Sequence, residues 1–335
     1  MIFAKELGDT LRGILTSDPR VVLLGEDIAD PYGGAFKVTR GLSTAFPERV
    51  RTTPISEGAI AGISAGLALA GHRPIAEVMF GDFLTLMFDQ VVNHITKYQA
   101  MYAGQATCPV VVRAATGGHR GYGPTHSQSL EKHFLGVPHL RVVAASLYHD
   151  PRQVFADFLK HDDPVLYVEH KLLYPQHLTV PGNGRIGDLM AAEDASPGML
   201  PTVRLSAVPA EDCTVTVLAY GYQAMLAAQV VQRLAMEEEI FAELLVPAQI
   251  APMDWAPVER SVATTGRLVT VEEGTDGWSW GAEAASVVSR RLFGRLTRPV
   301  DVVASDPTVI PSSRTKEAAM LVGSDRIEAA IRAAA

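Results

Sequence analysis

The sequence predicts an α/β protein of two domains, each a mainly parallel sheet covered by helices. Short apolar runs alternate with helix-like stretches on both sides of a break near residues 174–212. The length, 335 residues, is about two domains' worth at ~150 residues per domain. Repeated β-α units of this kind favour parallel pairing, because each crossover lays a helix on a face of the sheet.

The elements follow in order. Val21–Gly25 (VVLLG) is an apolar run closed by glycine, the pattern of a strand buried on both faces. Ala59–Ala70 (AIAGISAGLALA) reads as a helix of small residues, and Pro74–Phe80 as the next strand. Leu84, Met87, Phe88, Val91, Ile95 and Tyr98 recur at spacings of three and four, which predicts an amphipathic helix. Pro109–Arg113, Leu140–Ala144 and Val165–Glu169 are further strands, with a helix over Pro151–Leu159 before the last. From Tyr174 to about Asp212 proline, glycine and polar residues dominate, so 176–212 is read as a linker between domains 1–175 and 213–335. The second series runs through a strand at Thr214–Ala219, a helix at Ala224–Glu238, a strand at Leu268–Glu272 and a helix at Ala282–Leu292.

Composition excludes several function classes. Hydrophobic residues make up 47 % and charged residues 20 %, enough apolar material for a core and too much for a disordered chain. The formal charge is −8 with no basic run, which argues against nucleic acid and against anionic membrane surfaces. Cys108 and Cys213 form no CxxC and give no disulfide framework or cysteine zinc site. The N-terminal residues carry charges every few positions and no stretch is apolar enough to span a membrane, so the expectation is a cytoplasmic protein.

Three places invite chemistry. Between Thr52 and His72 the only charged side chain is Glu57. It reads either as an acid favoured by the dipole of a helix's first turn or as a functional group held in a tight apolar setting. Gly117–Gln128 (GGHRGYGPTHSQ) has four glycines and a proline in a dozen residues, and presents His119, Arg120, Tyr122 and His126 together. Such a loop can approach a ligand closely. His126, His133 and His139 lack metal-ligand spacing and HExxH is absent, so histidine-bound zinc is not expected. Gly25-Glu26-Asp27 closes the first strand, where open α/β sheets place ligands. No GxGxxG after a strand, no GxxxxGK[ST] loop and no GxSxG occurs.

GEDIADPYGGAFKVTRGL, TPISEGAIAG, EVMFGDFLTLMFDQVVNHITKY, GYGPTHSQSLEKHF and DPVLYVEHKLLY, followed by PMDWAPVERSVATTGRLVTVEEG and WSWGAEAAS, stand in an order and spacing that resembles one family. It is the beta subunit of the thiamine-diphosphate-dependent decarboxylating component of 2-oxo acid dehydrogenases, of pyruvate, acetoin or branched-chain type, related to transketolase. The resemblance runs from about residue 3 to 300. It implies a pyrimidine-binding domain over 1–175 and a transketolase C-terminal-type domain over 213–335, assembled with an alpha subunit as a heterotetramer with the cofactor between subunits.

By the same resemblance Glu57 bonds the aminopyrimidine ring, Phe83 stacks on it, Glu26 belongs to a polar chain linking active sites, and His126 assists acyl transfer to a lipoyl arm. The GDG motif with downstream asparagines that holds magnesium and diphosphate does not occur, so the partner is expected to hold Mg2+. Potassium is implied near Val110, Phe158 and Asp163, although His161 stands where the first of the family's aspartate–asparagine pair is expected.

The leading expectation is a subunit that decarboxylates a 2-oxo acid and passes the acyl group to the lipoyl arm of an acyltransferase. The alternative is a relative that takes a two-carbon ketol unit from a ketose phosphate to a lipoyl or acyl carrier protein, with His119 and Arg120 holding the phosphate. A third reading is a catalytically silent subunit that only docks a carrier, against which Glu57, Phe83 and His126 argue.

Overall fold

Six parallel strands build the first sheet in the computed structural model, which describes residues 1–182 and 184–335. They are β1 (Val21–Glu26), β2 (Val50–Thr53), β3 (Arg73–Val78), β4 (Val111–Thr116), β5 (Arg141–Ala144) and β6 (Val165–His170). Their spatial order is β5-β6-β4-β3-β1-β2. β4, β5 and β6 are buried along their whole length. That matches their near-continuous apolar runs, since a parallel sheet is covered on both faces. Helix Phe3–Ser17 buries Phe3, Leu7, Leu11, Ile14 and Leu15 at three-to-four spacing and packs against helix Pro151–Lys160. The latter starts where the Asp150 carboxylate accepts from the Arg152 amide and Pro151 presets the first turn.

The second sheet contains β7 (Arg185–Ile186), β8 (Leu189–Asp194), β9 (Thr202–Ser206), β10 (Val215–Ala219), β11 (Ala242–Pro247), β13 (Leu268–Thr275) and β14 (Asp301–Ser305), in the order β14-β13-β10-β11-β9-β8-β7. β14, β13, β10 and β11 run parallel; β9, β8 and β7 are antiparallel additions. The stretch 176–212 therefore does more than connect. Its alternation of apolar and polar residues, broken by glycine and proline turns, builds an antiparallel meander on the β11 edge, with Leu189, Val203 and Leu205 buried.

β12 (Gln249–Ala251), from the second half of the chain, leaves that sheet and pairs antiparallel with β5 of the first. One apolar core accordingly runs through both halves: Leu140, Ala144 and Leu166 pack in a single cluster with Leu218, Tyr220, Leu245 and Trp280.

The amphipathic stretch 84–98 is helical but not one α-helix. It is a 3₁₀ turn over Gly81–Met87, a π turn over Gln90–Ile95 and an α turn over Tyr98–Met101. Gly81 packs its backbone on Thr116, where a Cβ would stand 2.5 Å from the threonine methyl. Spacings of three and four fit all three helical geometries, so periodicity does not distinguish them. No helix among the described residues is long and apolar enough to cross a membrane.

Candidate active site

The carboxyl ends of β1, β2, β3, β4 and β6 gather the residues singled out from the sequence, as the topology of open parallel sheets requires. Glu26 is the last residue of β1 and is 5 % exposed. β2 leads through Pro54 and Ile55 to Ser56, whose side chain caps a helix by accepting from the Ala59 amide at 3.4 Å. Glu57 is the first residue of that helix, Glu57–Leu69, and is also 5 % exposed. Burial, then the neighbouring Glu57 charge, pushes the Glu26 carboxyl above its usual range. Its Oε1 is buried with no hydrogen-bond partner. Two carboxylates are thus held close together in a dry setting, the Glu26 one with an unmet acceptor, and Glu57 stands in the first turn of its helix, where the dipole favours an acid.

The first turn of this helix packs on the segment that carries Phe83, with a Cβ at Gly58 reaching within 3.4 Å of the Leu86 carbonyl. Phe83 is half-buried and meets His126 edge to face, with ring centroids 5.3 Å apart. Phe80, which no sequence argument picked out, stands 4.8 Å from the His126 ring and 5.9 Å from Phe83. His126 Nδ1 shares a hydrogen bond with Thr125 Oγ1 at 3.0 Å. The fold therefore brings Phe83 and His126 into one wall, and sets Glu26 and Glu57 on the adjoining elements.

The glycine-rich stretch is a closed loop, tied at its base by the Gly117 amide donating to the Gln128 carbonyl at 3.2 Å. Gly117 has φ +90°, and a Cβ there would lie 2.0 Å from His170 Nε2. Only glycine fits. The second domain holds the loop from outside: Glu273 Oε1 accepts from the Gly118 amide and Glu317 Oε2 from the Gly121 amide, both at 2.7 Å. Glu273 Oε2 also accepts from His170 Nε2 at 2.9 Å and lies 3.4 Å from His119 Nε2. Although burial opposes it, the charge of His170 and the hydrogen bonds of both histidines hold the Glu273 carboxyl well below its usual range. His119 is engaged with Glu273 and sits half-buried, while the Arg120 guanidinium lies over the rings of Tyr122 (5.1 Å) and Phe36 (6.0 Å).

Sequence reasoning missed Asp82, Lys171, Glu273 and Glu317. Glu272-Glu273 stands in the apolar strand LVTVEEG, the same signal of an acid in a dry setting that picked out Glu57. Glu317 gives no local sign, because only the tertiary fold brings its short helix under the loop. Of the positions expected near potassium, the Val110 carbonyl accepts from the Val165 amide at 2.9 Å and the Phe158 carbonyl from Arg73 Nη1 at 3.5 Å. Asp163 borders a cavity of about 450 Å3 with His139, Arg141 and His161. No group of three metal-ligating side chains occurs among the described residues.

Comparison with known proteins places the chain. Residues 2–176 match the family described as "Transketolase, pyrimidine binding domain" and residues 206–327 the one described as "Transketolase, C-terminal domain". The pyruvate dehydrogenase E1 component subunit beta of Leifsonia xyli is 34 % identical over 96 % of this chain and 91 % of its own length. The acetoin:2,6-dichlorophenolindophenol oxidoreductase subunit beta of Cupriavidus necator is 34 % identical over 95 % and 92 %, and the 2-oxoisovalerate dehydrogenase subunit beta of Bacillus subtilis 32 % over 94 % and 92 %.

A solved split-gene transketolase, described as an inactive beta4 tetramer, shares the fold with a TM-score of 0.74 at 22 % identity, covering 98 % of this chain and 97 % of that one. These relatives do not favour ketose-phosphate transfer, the second reading of the His119–Arg120 loop. The chain belongs to the family of E1 beta subunits of 2-oxo acid dehydrogenases, built from a transketolase pyrimidine-binding domain and a transketolase C-terminal domain.

Proposed function

We propose that this chain is the beta subunit of a thiamine-diphosphate-dependent 2-oxo acid dehydrogenase, decarboxylating a 2-oxo acid and passing the acyl group to a lipoyl arm. The observation that carries the reading is the buried Glu26–Glu57 pair at a helix start, with an unmet carboxylate acceptor, beside the Phe80–Phe83–His126 wall. That donor set fits an aminopyrimidine: an acid to exchange a proton with a ring nitrogen and an aromatic face to stack on it.

Thiamine diphosphate, which Glu57, Phe83 and Glu26 would help hold, would supply a nucleophilic carbon and an electron sink for decarboxylation. The rest falls to this chain. Glu57 holds the proton at the pyrimidine ring nitrogen. Glu26, with its raised affinity for a proton, keeps the neighbouring charge low enough for Glu57 to do so. Phe83 fixes the ring plane, and His126 stands ready to move a proton during acyl transfer. Magnesium we assign to an alpha subunit, because GDG with its downstream asparagines is absent here.

An alpha partner suits the outer face of helix Glu57–Leu69. Ile63 and Leu69 are exposed there, Ile55 precedes it, and no charged residue follows Glu57 within it.

The test is reconstitution with an alpha subunit, thiamine diphosphate and magnesium, assayed on pyruvate, 2-oxobutanoate and 3-methyl-2-oxobutanoate with 2,6-dichlorophenolindophenol as electron acceptor. One of these is expected to turn over, and Glu57→Gln to reduce that rate by roughly 10²–10⁴-fold with unchanged circular dichroism. No turnover of any of the three, or full activity in the glutamine variant, overturns the reading.

A further inference from the structure

Beneath the loop lies a charged side chain that neither the sequence nor the reading above employs. Lys171 follows β6 and is 0 % exposed, yet it makes no salt bridge among the described residues. Its Nζ donates to the backbone carbonyl of His126 at 2.8 Å and lies 5.4 Å from the centre of the Phe80 ring. A buried ammonium is costly unless its position does something.

The loop it touches has glycine at 117, 118, 121 and 123, so its own backbone does little to fix residue 126. Beyond the Thr125 hydroxyl, the fixed points around His126 come from outside the loop. Asp82 Oδ1 accepts from the Gln128 side chain at 2.8 Å, the two phenylalanines confine the imidazole, and Lys171 holds the carbonyl of the histidine itself.

We propose that Lys171 is the positioning residue for His126, holding its backbone so that the imidazole stays against Phe80 and Phe83 during acyl transfer. The charges that face the lysine are Asp82, Glu273 and Glu317, which favour its cationic form, and Arg120, which opposes it. Burial outweighs them and lowers its pKa to about 8. Deprotonation weakens a charge-assisted contact to an ordinary one, so transfer should decline as pH rises through about 8 while decarboxylation does not follow it.

The role in transfer rests on the function proposed above, and the experiment separates the two. In the reconstituted complex, Lys171→Met should slow acyl transfer to a lipoyl domain by about 10–100-fold. Reduction of 2,6-dichlorophenolindophenol should fall by a much smaller factor, the alkaline limb of the transfer rate should vanish, and Lys171→Arg should recover most of the rate. Independently of any turnover, trypsin should cut the full chain after Arg120 faster in Lys171→Met than in wild type, because the loop is released.

Equal losses in both half-reactions with unchanged proteolysis overturn the positioning role. So does a wild-type transfer rate with no alkaline limb near pH 8, which remains decisive if the methionine variant does not fold. Faster cleavage after Arg120 in Lys171→Met, from a complex whose wild type turns over no 2-oxo acid, keeps the positioning role and removes the function.

Discussion

At the scale of single residues, the site rests on buried charges whose partners come from neighbouring strands. Arg113 on β4 is 2 % exposed and forms a two-pronged pair with Glu169 on β6 at 2.7 and 2.8 Å, plus a contact to Glu77 on β3 at 2.9 Å. Tyr174 adds its hydroxyl to Glu169 at 2.8 Å and stacks on Phe36, one of the rings under Arg120. Arg113→Met keeps most of the volume but leaves two carboxylates without their cation. The expected loss is about 3–5 kcal/mol in urea unfolding. A loss below about 1 kcal/mol would mean that the acids simply take up protons and the triad is dispensable. Burial already pushes Glu77 toward its protonated form, which sets the direction of that relaxation. Gly117 offers a sharper case, since its φ of +90° and the His170 ring 2.0 Å from a would-be Cβ leave no room for a side chain. Gly117→Ala should cost roughly 1–3 kcal/mol in strain alone and displace the loop that carries His126. Wild-type unfolding and activity in that variant would show that the loop does not need its present path.

At the scale of elements, the connection from β5 to helix Pro151–Lys160 is fixed by a histidine that must stay neutral. His149 Nδ1 shares a hydrogen bond with Ser146 Oγ at 2.7 Å, and Nε2 meets the Pro201 carbonyl at 3.1 Å, so Nε2 carries the proton and Ser146 donates to Nδ1. Burial lowers the pKa of His149 to about 4. The unfolded chain takes up its proton near pH 6.5 and the folded one only near 4, so this group's contribution is complete above about 6.5 and is lost as pH falls toward 4. The shift corresponds to roughly 3 kcal/mol. His149→Gln should flatten that limb of the stability-against-pH curve, measured by urea unfolding between pH 4 and 7; an unchanged slope would remove His149 from the acid response.

Strands of this kind were legible in the sequence because a parallel strand buried on both faces shows as a plain apolar run, as in Val165–Glu169. Helix Gly81–Met87 and its π continuation were not, because side-chain spacing reports the buried stripe and not the hydrogen-bond register. Glu57 stood out by its isolation and the 117–128 loop by its glycines. Lys171 and Glu317 did not, because their partners lie 45 and 196 residues away in the chain.

At the scale of the whole molecule, the two halves are not separable pieces. β12 pairs with β5 across the divide, with Gln249 opposite Val143 and the Ala144 amide donating to Ala248 at 2.9 Å. Arg141 Nε donates to Gln249 at 2.8 Å, and Tyr220 of the second half donates its hydroxyl to Glu131 of the first. The shared core places Leu218, Leu245, Ile250 and Trp280 on apolar side chains of the first domain. Cutting the chain after residue 176 would bare β5 as an edge of four residues that are buried in the intact chain. An unpaired apolar edge of that kind invites association. The same cut removes Glu273 and Glu317, the acceptors of the Gly118 and Gly121 amides, so the glycine-rich loop would lose both outer anchors. The expectation is that a 1–176 fragment aggregates or melts without a cooperative transition, whereas the full chain unfolds in a single transition seen alike by far- and near-ultraviolet circular dichroism. A fragment that is monomeric by sedimentation and melts cooperatively would show that the first sheet is complete without β12. The loop anchors would then serve only to join the domains, not to hold the first one together.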